Sequence, residues 1–310
     1  MSTKSLRTAY GETLVELGKE NKDIVVLEAD LGKSTMSILF QNAYPERFFE
    51  MGIAEQNMAS TAAGLALTGK ISFINSFAVF ASGRAYDQLR QTIAIAKLNV
   101  KICGSSSGLS DFGDGSTHQA VEDMAIMRAI PNMTVLVPVD AVETRKMVKA
   151  MVNWSGPVYL RVNRSELPVL TEEEGEYRIG ELRTMREGGD AVIFANGVMV
   201  SLALTAAEIL ANEGIAAKVV NVGTIKPLDR QAVIDCVQGS RGVVTAEEHS
   251  IVGGLGSAIA EALRGVTDKP LEFVGVQDKF GTSAANYEEL LAHYGLTTEA
   301  IVDSVKKVLK

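Results

Sequence analysis

The sequence predicts an α/β protein of two domains, each a mostly parallel sheet flanked by helices. Three observations carry this expectation. Short apolar runs alternate with segments of helical periodicity up to residue 163. A stretch with proline, glycine and an acidic cluster, SELPVLTEEEGEYRIGEL, then interrupts the rhythm. After it the alternation restarts and continues to the C-terminus. Apolar runs separated by helices of about 10–15 residues are the pattern of parallel strands covered on both faces. The boundaries that follow are 1–170 for the first domain, 171–187 for a linker and 188–310 for the second.

Taken in order, LRTAYGETLVELGKE places Leu6, Ala9, Leu14 and Leu17 at helical spacing, and DIVVLEAD is a strand ending in acid. RFFEMGI is a strand, and QNMASTAAGLALTG is a helix stopped by Gly69. KISFINSF is a strand and GRAYDQLRQTIAIAK a helix; NVKICGS is a strand followed by a polar loop. HQAVEDMAIMRAI is a helix, MTVLVPV a strand, AVETRKMVKAMVNW a helix and GPVYLRVN a strand. Beyond the linker, DAVIFANG, AAKVVNVGTIKPLD, GVVTAEEHS and LEFVGVQD are strands. SLALTAAEILANEG, RQAVIDCVQGS, GGLGSAIAEALRG, TSAANYEELLAHYG and TEAIVDSVKKVLK are the helices of the second domain.

Of the 310 residues, 46% are hydrophobic and 22% charged, enough for each domain to bury its own core. A net charge of −8 and a pI near 5.1 argue against a basic nucleic-acid-binding face. There is no run of about 18 apolar residues, so no membrane helix is expected. MSTKSLRTAY lacks the apolar centre of a signal peptide. Cys103 and Cys236 show no metal spacing and sit in apolar surroundings, so both are expected to be buried thiols. That suits a reducing compartment, and the cytoplasm is the expected location.

Ligands of parallel sheets gather beyond the carboxyl ends of the strands. Here those positions are Asp30 to Ser34, Glu55, Asn75 to Phe80, the loop GSSSGLSDFGDGSTH, Asp140, and Arg161 to Arg164. Glu55, in GIAEQNM, stands among small and apolar residues. A buried carboxylate must be neutral, paired or employed; the plainer alternative is a first-turn acid favoured by the helix dipole. Asp114 and His118, four apart in the loop, can face one substrate; the alternative is a mobile loop with a helix cap at Thr117. The GDG at 113–115 has the letters that open a magnesium-binding stretch in thiamine-diphosphate enzymes, but it runs into STHQ and no asparagine pair follows at the required distance. GGLGSA at 253–258 is an incomplete dinucleotide loop, with Ile259 where a glycine is needed, and close helix–strand packing explains it better. His249 and His293 have no ligand-spaced partner and are expected to be structural.

Three segments then converge. FFEMGIAEQNMASTAAGLALTG, SFAVFASGRAYDQ and GDGSTHQAVEDMAIMRAIPNMTVLVPVD together resemble the pyrimidine-binding domain of the transketolase family. The resemblance covers nearly the whole chain, which looks like the C-terminal subunit of a transketolase split over two chains. It implies thiamine diphosphate as cofactor, with Mg2+ and the diphosphate held mainly by the partner, an N-terminal transketolase subunit. It also implies a dimer of two-chain units and a second domain that serves mainly in assembly.

By resemblance, Glu55 is the carboxyl group hydrogen-bonded to N1′ of the aminopyrimidine, where burial would let it share a proton with that nitrogen. Phe77 and Phe80 match the aromatics that pack on the ring, and Asp30 matches an acid near the cofactor and the subunit contact. Asp114 and His118 match the groups that meet the sugar hydroxyls and the reacting carbonyl. Arg7, Ser34 and Arg164 match the phosphate-binding positions for a phosphosugar. Two departures stand out: Gly83 replaces a third aromatic, and Arg84 follows it, as in 1-deoxy-D-xylulose-5-phosphate synthase. The implied reaction moves a two-carbon ketol unit from a ketose phosphate to an aldose phosphate, as in the pentose phosphate pathway. A synthase-like joining of pyruvate to glyceraldehyde 3-phosphate and a non-catalytic assembly subunit are the competing readings.

Overall fold

The apolar runs become strands wherever neighbours can bury them on both faces. Every residue of β2 (Ile24–Glu28), β5 (Val100–Ser105), β7 (Val158–Arg161) and β10 (Ala191–Ala195) is buried in the computed structural model, which describes residues 2–310. The remaining strands are β1 (Thr3–Ser5), β3 (Phe48–Glu50), β4 (Ile71–Phe77), β6 (Thr134–Leu136), β8 (Glu166–Pro168), β9 (Arg183–Arg186), β11 (Ala217–Asn221), β12 (Thr224–Lys226), β13 (Gly242–Ser250) and β14 (Leu271–Val276). They form two mostly parallel sheets, as expected, plus an antiparallel β1–β8 pair that ties the N-terminus to the end of the first domain. The first sheet runs β12-β6-β7-β5-β4-β2-β3 and the second β14-β13-β10-β11-β9. No helix among the described residues is long and apolar enough to cross a membrane.

Helices Leu6–Glu20 and Ala141–Asn153 pack on each other over the first sheet. Each begins at a side-chain cap that satisfies a free backbone N–H: Ser5 Oγ accepts from Thr8 N at 3.2 Å, and Asp140 Oδ1 accepts from Glu143 N at 2.7 Å. The same Asp140 carboxylate accepts from Leu170 N and Thr171 N, both at 2.7 Å. One acid therefore starts a helix and fixes the exit of the chain from the first domain.

The two halves are sewn together rather than strung on a linker. β12, from the second half of the chain, adds antiparallel to β6 at the edge of the first sheet. Arg161, at the end of β7, pairs with Asp123 at 2.9 Å, the two side chains being only 3% and 0% exposed. It also donates through Nη2 to the carbonyl of Glu248, at 2.8 Å, on β13 of the second domain. Glu247, beside it, accepts from Leu255 N at 2.6 Å and Gly256 N at 2.8 Å, the first N–H groups of helix Leu255–Leu263. A Cβ on Gly254 would fall 2.0 Å from that carboxylate. The glycine cluster 253–258 thus receives an acid of the chain itself at the helix N-terminus, where a dinucleotide loop would receive a phosphate.

Some elements differ from expectation. β9 lies inside the stretch expected to be linker and forms the antiparallel edge of the second sheet, so residues 169–182 are the part without helix or strand. The helix expected from His118 begins only at Asp123, and the one expected from Thr282 begins at Tyr287, capped by Asn286. The segment after β4 is helical, but Phe80–Arg84 and Leu89–Ala94 wind as π turns. Cys103 is buried as expected, whereas Cys236, at the end of a short helix, is half-buried.

Removing one partner of a buried ion pair strands the other charge, at a cost of about 3–5 kcal/mol. Asp123→Ala, which leaves Arg161 unpaired at the domain seam, is therefore expected to lower unfolding stability by about that amount. Urea denaturation measures it, and a loss no larger than that of an exposed pair such as Lys70–Asp23 contradicts the role given to Arg161.

Candidate active site

At the end of β2 the chain turns through Asp30 into the short helix Gly32–Thr35. Glu28 organises this turn from below. Its buried carboxyl group accepts from Ala29 N at 3.1 Å, Leu31 N at 3.2 Å and Thr35 Oγ1 at 2.8 Å, and burial pushes its pKa up to about 7. The turn needs this support because Asp30 is held at φ 63°, a left-handed conformation uncommon for a residue with a Cβ. Asp30 N donates to Glu50 Oε1 at 2.9 Å, and the Asp30 side chain is exposed at the rim of a cleft.

That cleft, of about 410 Å³, is lined by Ala29, Asp30, Leu31, Ile53, Glu55, Phe80, Arg84, Thr117 and His118. Glu55 is the first residue of helix Glu55–Leu67 and is 1% exposed. Its position at a helix N-terminus favours negative charge, yet the dipole does not replace a partner. The partner is Arg84, whose Nη1 donates to Oε1 at 2.8 Å and to Oε2 at 3.0 Å. Ser76 Oγ donates to Oε1 at 3.4 Å. Sequence reasoning marked Arg84 only as a departure at the pocket edge; the π turn Phe80–Arg84 brings it to the carboxylate and lays its guanidinium 4.3 Å from the Phe80 ring centroid.

Phe77, Phe80 and His118 form one aromatic group. The phenyl rings stack at 6.1 Å with 14° between their planes, and the His118 imidazole meets both edge-on, at 6.1 and 5.3 Å. Phe77 is buried, behind the cleft, while Phe80 and His118 line it. Thr117 Oγ1 lies 2.9 Å from His118 Nδ1. Thr117 thus ends a 3-10 turn, Gly115–Thr117, and caps no α-helix.

Arg7, Ser34 and Arg164 converge in a second cluster. Arg7 Nη1 donates to the Ser34 carbonyl at 2.6 Å, and Arg7 Nε is buried without a protein partner. Burial and the neighbouring Arg164 lower the Arg7 pKa, while Asp111 raises it. Arg164 Nη1 donates to Asp111 Oδ2 at 2.7 Å. Asp111 was not singled out in the sequence, where it was one of two acids in a glycine-rich loop. Its pKa is raised by burial, against the pull of Arg164, and it also feels Asp114 and His118. Asp114 is exposed on the same loop.

The second domain grips this loop at three places. Glu248 Oε1 accepts from Leu109 N at 2.7 Å and Oε2 from Asn163 Nδ2 at 3.1 Å. A Cβ on Gly108, at φ +62°, would lie 2.4 Å from the Glu248 carboxyl carbon. Gln119 Nε2 donates to the Thr282 carbonyl at 3.0 Å, and Ala284 N donates to the Phe112 carbonyl at 3.0 Å. Glu248 carried no signal in the sequence, because its role exists only once the two domains meet. His249 is buried between Ala125 N and the Ser250 carbonyl, consistent with a structural role. Among the described residues, no group of three or more His, Cys, Asp or Glu is placed to hold a metal ion.

Residues 2–169 match the family model of the transketolase pyrimidine-binding domain, and residues 180–301 match that of the transketolase C-terminal domain. A transketolase C-terminal section from Methanocaldococcus jannaschii is 45% identical over 99% of this chain and 97% of that protein. A 6-deoxy-6-sulfo-D-fructose transketolase subunit from a Clostridium species is 43% identical over 98% of this chain and 94% of that protein. Rat transketolase is 36% identical over 97% of this chain but only 48% of its own length, so this chain spans about half of that enzyme. A solved split-gene transketolase, an inactive beta4 tetramer, superposes with a TM-score of 0.90 at 47% identity, covering 99% of both chains.

Burial pushes the Glu248 pKa up to about 7, against the pull of Arg161. A raised carboxyl pKa means the folded state holds the proton more tightly than the unfolded chain. The stability this group contributes is full below about pH 4.5 and is lost as pH rises toward 7. Glu248→Gln cannot titrate, so its stability should fall less than that of the native chain between pH 4.5 and 7, by on the order of 3 kcal/mol. Urea midpoints at pH 5 and pH 8 test this; parallel pH dependence of the two proteins contradicts it.

Proposed function

The chain belongs to the transketolase family, and from that premise we propose that it is the C-terminal subunit of a split, thiamine-diphosphate-dependent transketolase. In this reading it transfers a two-carbon ketol unit between phosphosugars, in the cytoplasm, within a dimer of two-chain units. The observation that carries the proposal is Glu55: a carboxylate 1% exposed, opening into a cleft whose wall is the Phe80 ring. A flat heterocycle with a basic edge nitrogen fits that pair of surfaces, because an aromatic face fixes the ring without competing for its hydrogen bonds. The residues present therefore suit the aminopyrimidine half of the cofactor. Magnesium and the diphosphate would be held by the N-terminal partner subunit. The division into domains at 1–170 and 188–310 belongs to the same proposal.

When bound, thiamine diphosphate supplies the nucleophilic carbon that carries the ketol unit. The chain's own residues do the rest. Glu55 holds a proton at pyrimidine N1′, which makes the ring's amino group basic enough to act. Phe80, backed by Phe77, holds the plane of the ring, and Asp30 stands at the rim toward the subunit contact. His118 moves a proton at the sugar's carbonyl oxygen or polarises it, and Asp114 meets sugar hydroxyls. Arg7 and Arg164, with Ser34, orient the anionic end of the sugar; arginine's planar fork suits phosphate.

A synthase-like reaction is the second reading, and Arg84 is the observation that favours it. The experiment mixes this chain with the N-terminal subunit, thiamine diphosphate and magnesium. Ketol transfer from xylulose 5-phosphate is the expected result; pyruvate consumption supports the synthase, and inactivity supports a pure assembly role. In the active complex, Glu55→Ala should lose at least about 100-fold in kcat, the range of general acid–base groups, while the fold survives. Near-normal turnover sinks the assignment. Arg164→Gln should raise the sugar KM by about tenfold or more with a smaller change in kcat, as expected for loss of uniform binding. An unchanged KM removes Arg164 from the sugar site.

A further inference from the structure

Arg84 makes two contacts that together trace the outline of an aminopyrimidine. Its guanidinium carbon lies 4.3 Å from the Phe80 ring centroid. One terminal nitrogen of the same group donates to both Glu55 oxygens, at 2.8 and 3.0 Å. An aminopyrimidine seated here would stack on that ring and hydrogen-bond that carboxylate through an edge nitrogen. Guanidinium is likewise flat and delocalised, and its N–H donors meet the carboxylate where the ring nitrogen, which has no hydrogen of its own, would share a proton with it. Two such groups cannot share one ring face and one carboxylate edge at contact distance.

The way out is open. The Arg84 side chain is 45% exposed while Glu55 is 1% exposed, so the arginine reaches inward from the surface. A Cβ added to neighbouring Gly83 would meet nothing within 4 Å. The guanidinium can therefore leave by side-chain rotation, with the backbone in place. If it were absent and nothing replaced it, Glu55 would keep only the long Ser76 hydroxyl contact of 3.4 Å, a costly state for a buried carboxylate.

We propose that Arg84 is the placeholder of the aminopyrimidine seat: it pairs Glu55 and covers Phe80, and the ring enters by displacing it. This rests on the reading of Glu55 and Phe80 given above. The ion pair keeps the unassembled chain folded with its carboxylate satisfied. It also opposes cofactor entry, because the incoming ring must replace what the arginine already provides.

The test titrates neutral 4-amino-5-hydroxymethyl-2-methylpyrimidine into the full chain, read by isothermal calorimetry. This probe lacks the thiazolium charge and the diphosphate, so neither charge repulsion by Arg84 nor the partner's half of the site affects the result. Arg84→Ala should bind it at least about fivefold more tightly than the native chain. Free guanidinium ion, at concentrations well below denaturing, should then compete with the pyrimidine in Arg84→Ala and have no effect on the native chain. Equal or weaker binding by Arg84→Ala, absence of guanidinium competition, or no pyrimidine binding by either protein overturns the placeholder. The double variant Arg84→Ala/Glu55→Ala, which leaves no hydrogen-bonding side chain at position 55, separates the two levels of inference. If it binds as tightly as Arg84→Ala, the seat is not at Glu55 and the underlying reading fails. If binding depends on Glu55 but Arg84→Ala gains nothing, only the placeholder fails.

Discussion

A buried carboxylate at the first residue of a helix cannot stand alone, and the pairing of Glu55 with Arg84 satisfies that constraint in this chain. The helix dipole favours the charge, and the strand end beside it opens a cleft onto it. Around this pair the rest of the site is arranged in layers. Phe77 supports Phe80, Phe80 faces the cleft, and His118 stands edge-on to both rings. Glu28 holds the turn that brings Asp30 and Ser34 to the same end of the sheet. The pairing of Glu55 with Arg84 and the approach of His118 to the two phenyl rings are not local in sequence. They depend on the parallel order of β2, β4 and β5, which sets three strand ends side by side.

The second domain shares in building the site. Its Glu248 accepts the N–H of Leu109, and its carbonyl at Thr282 and N–H at Ala284 hold Gln119 and Phe112. Asn163, next to Arg164, bonds the same Glu248 carboxylate. The loop carrying Asp111, Asp114 and His118, and the strand end carrying Arg164, are therefore referenced to one acid of the other domain. In geometric terms the C-terminal domain is a template for the loop. The buried Arg161–Asp123 pair and the edge strand β12 keep that template in register.

Much of this was legible in the sequence, for identifiable reasons. Fully buried parallel strands such as IVVLE and AVIFA leave unbroken apolar runs, so β2 and β10 could be placed closely. Positions after those runs gave Glu55, Asp30, His118 and Arg164 as candidates before any contact was known. The edge strand β9 was hidden because RTMR is partly exposed and polar, as an edge should be, and it reads as linker. The late start of helix Tyr287–His293 follows from the Asn286 cap, which competes with the helical pattern before it. Arg84, Asp111 and Glu248 escaped for a different reason. Their roles are pairings across 29, 53 and 139 positions, and periodicity carries no information on such pairs. The incomplete glycine loop at 253–258 is explained by the structure as packing around Glu247.

The central claim is that Glu55 activates the cofactor through one hydrogen bond to its pyrimidine ring. The most direct measurement is hydrogen–deuterium exchange at C2 of thiamine diphosphate bound to the two-subunit complex, followed by NMR without any sugar present. The account predicts that Glu55→Gln slows this exchange by at least about 100-fold relative to the native complex, the scale of a lost acid–base group, while the cofactor stays bound. Exchange at the native rate in that variant would contradict it.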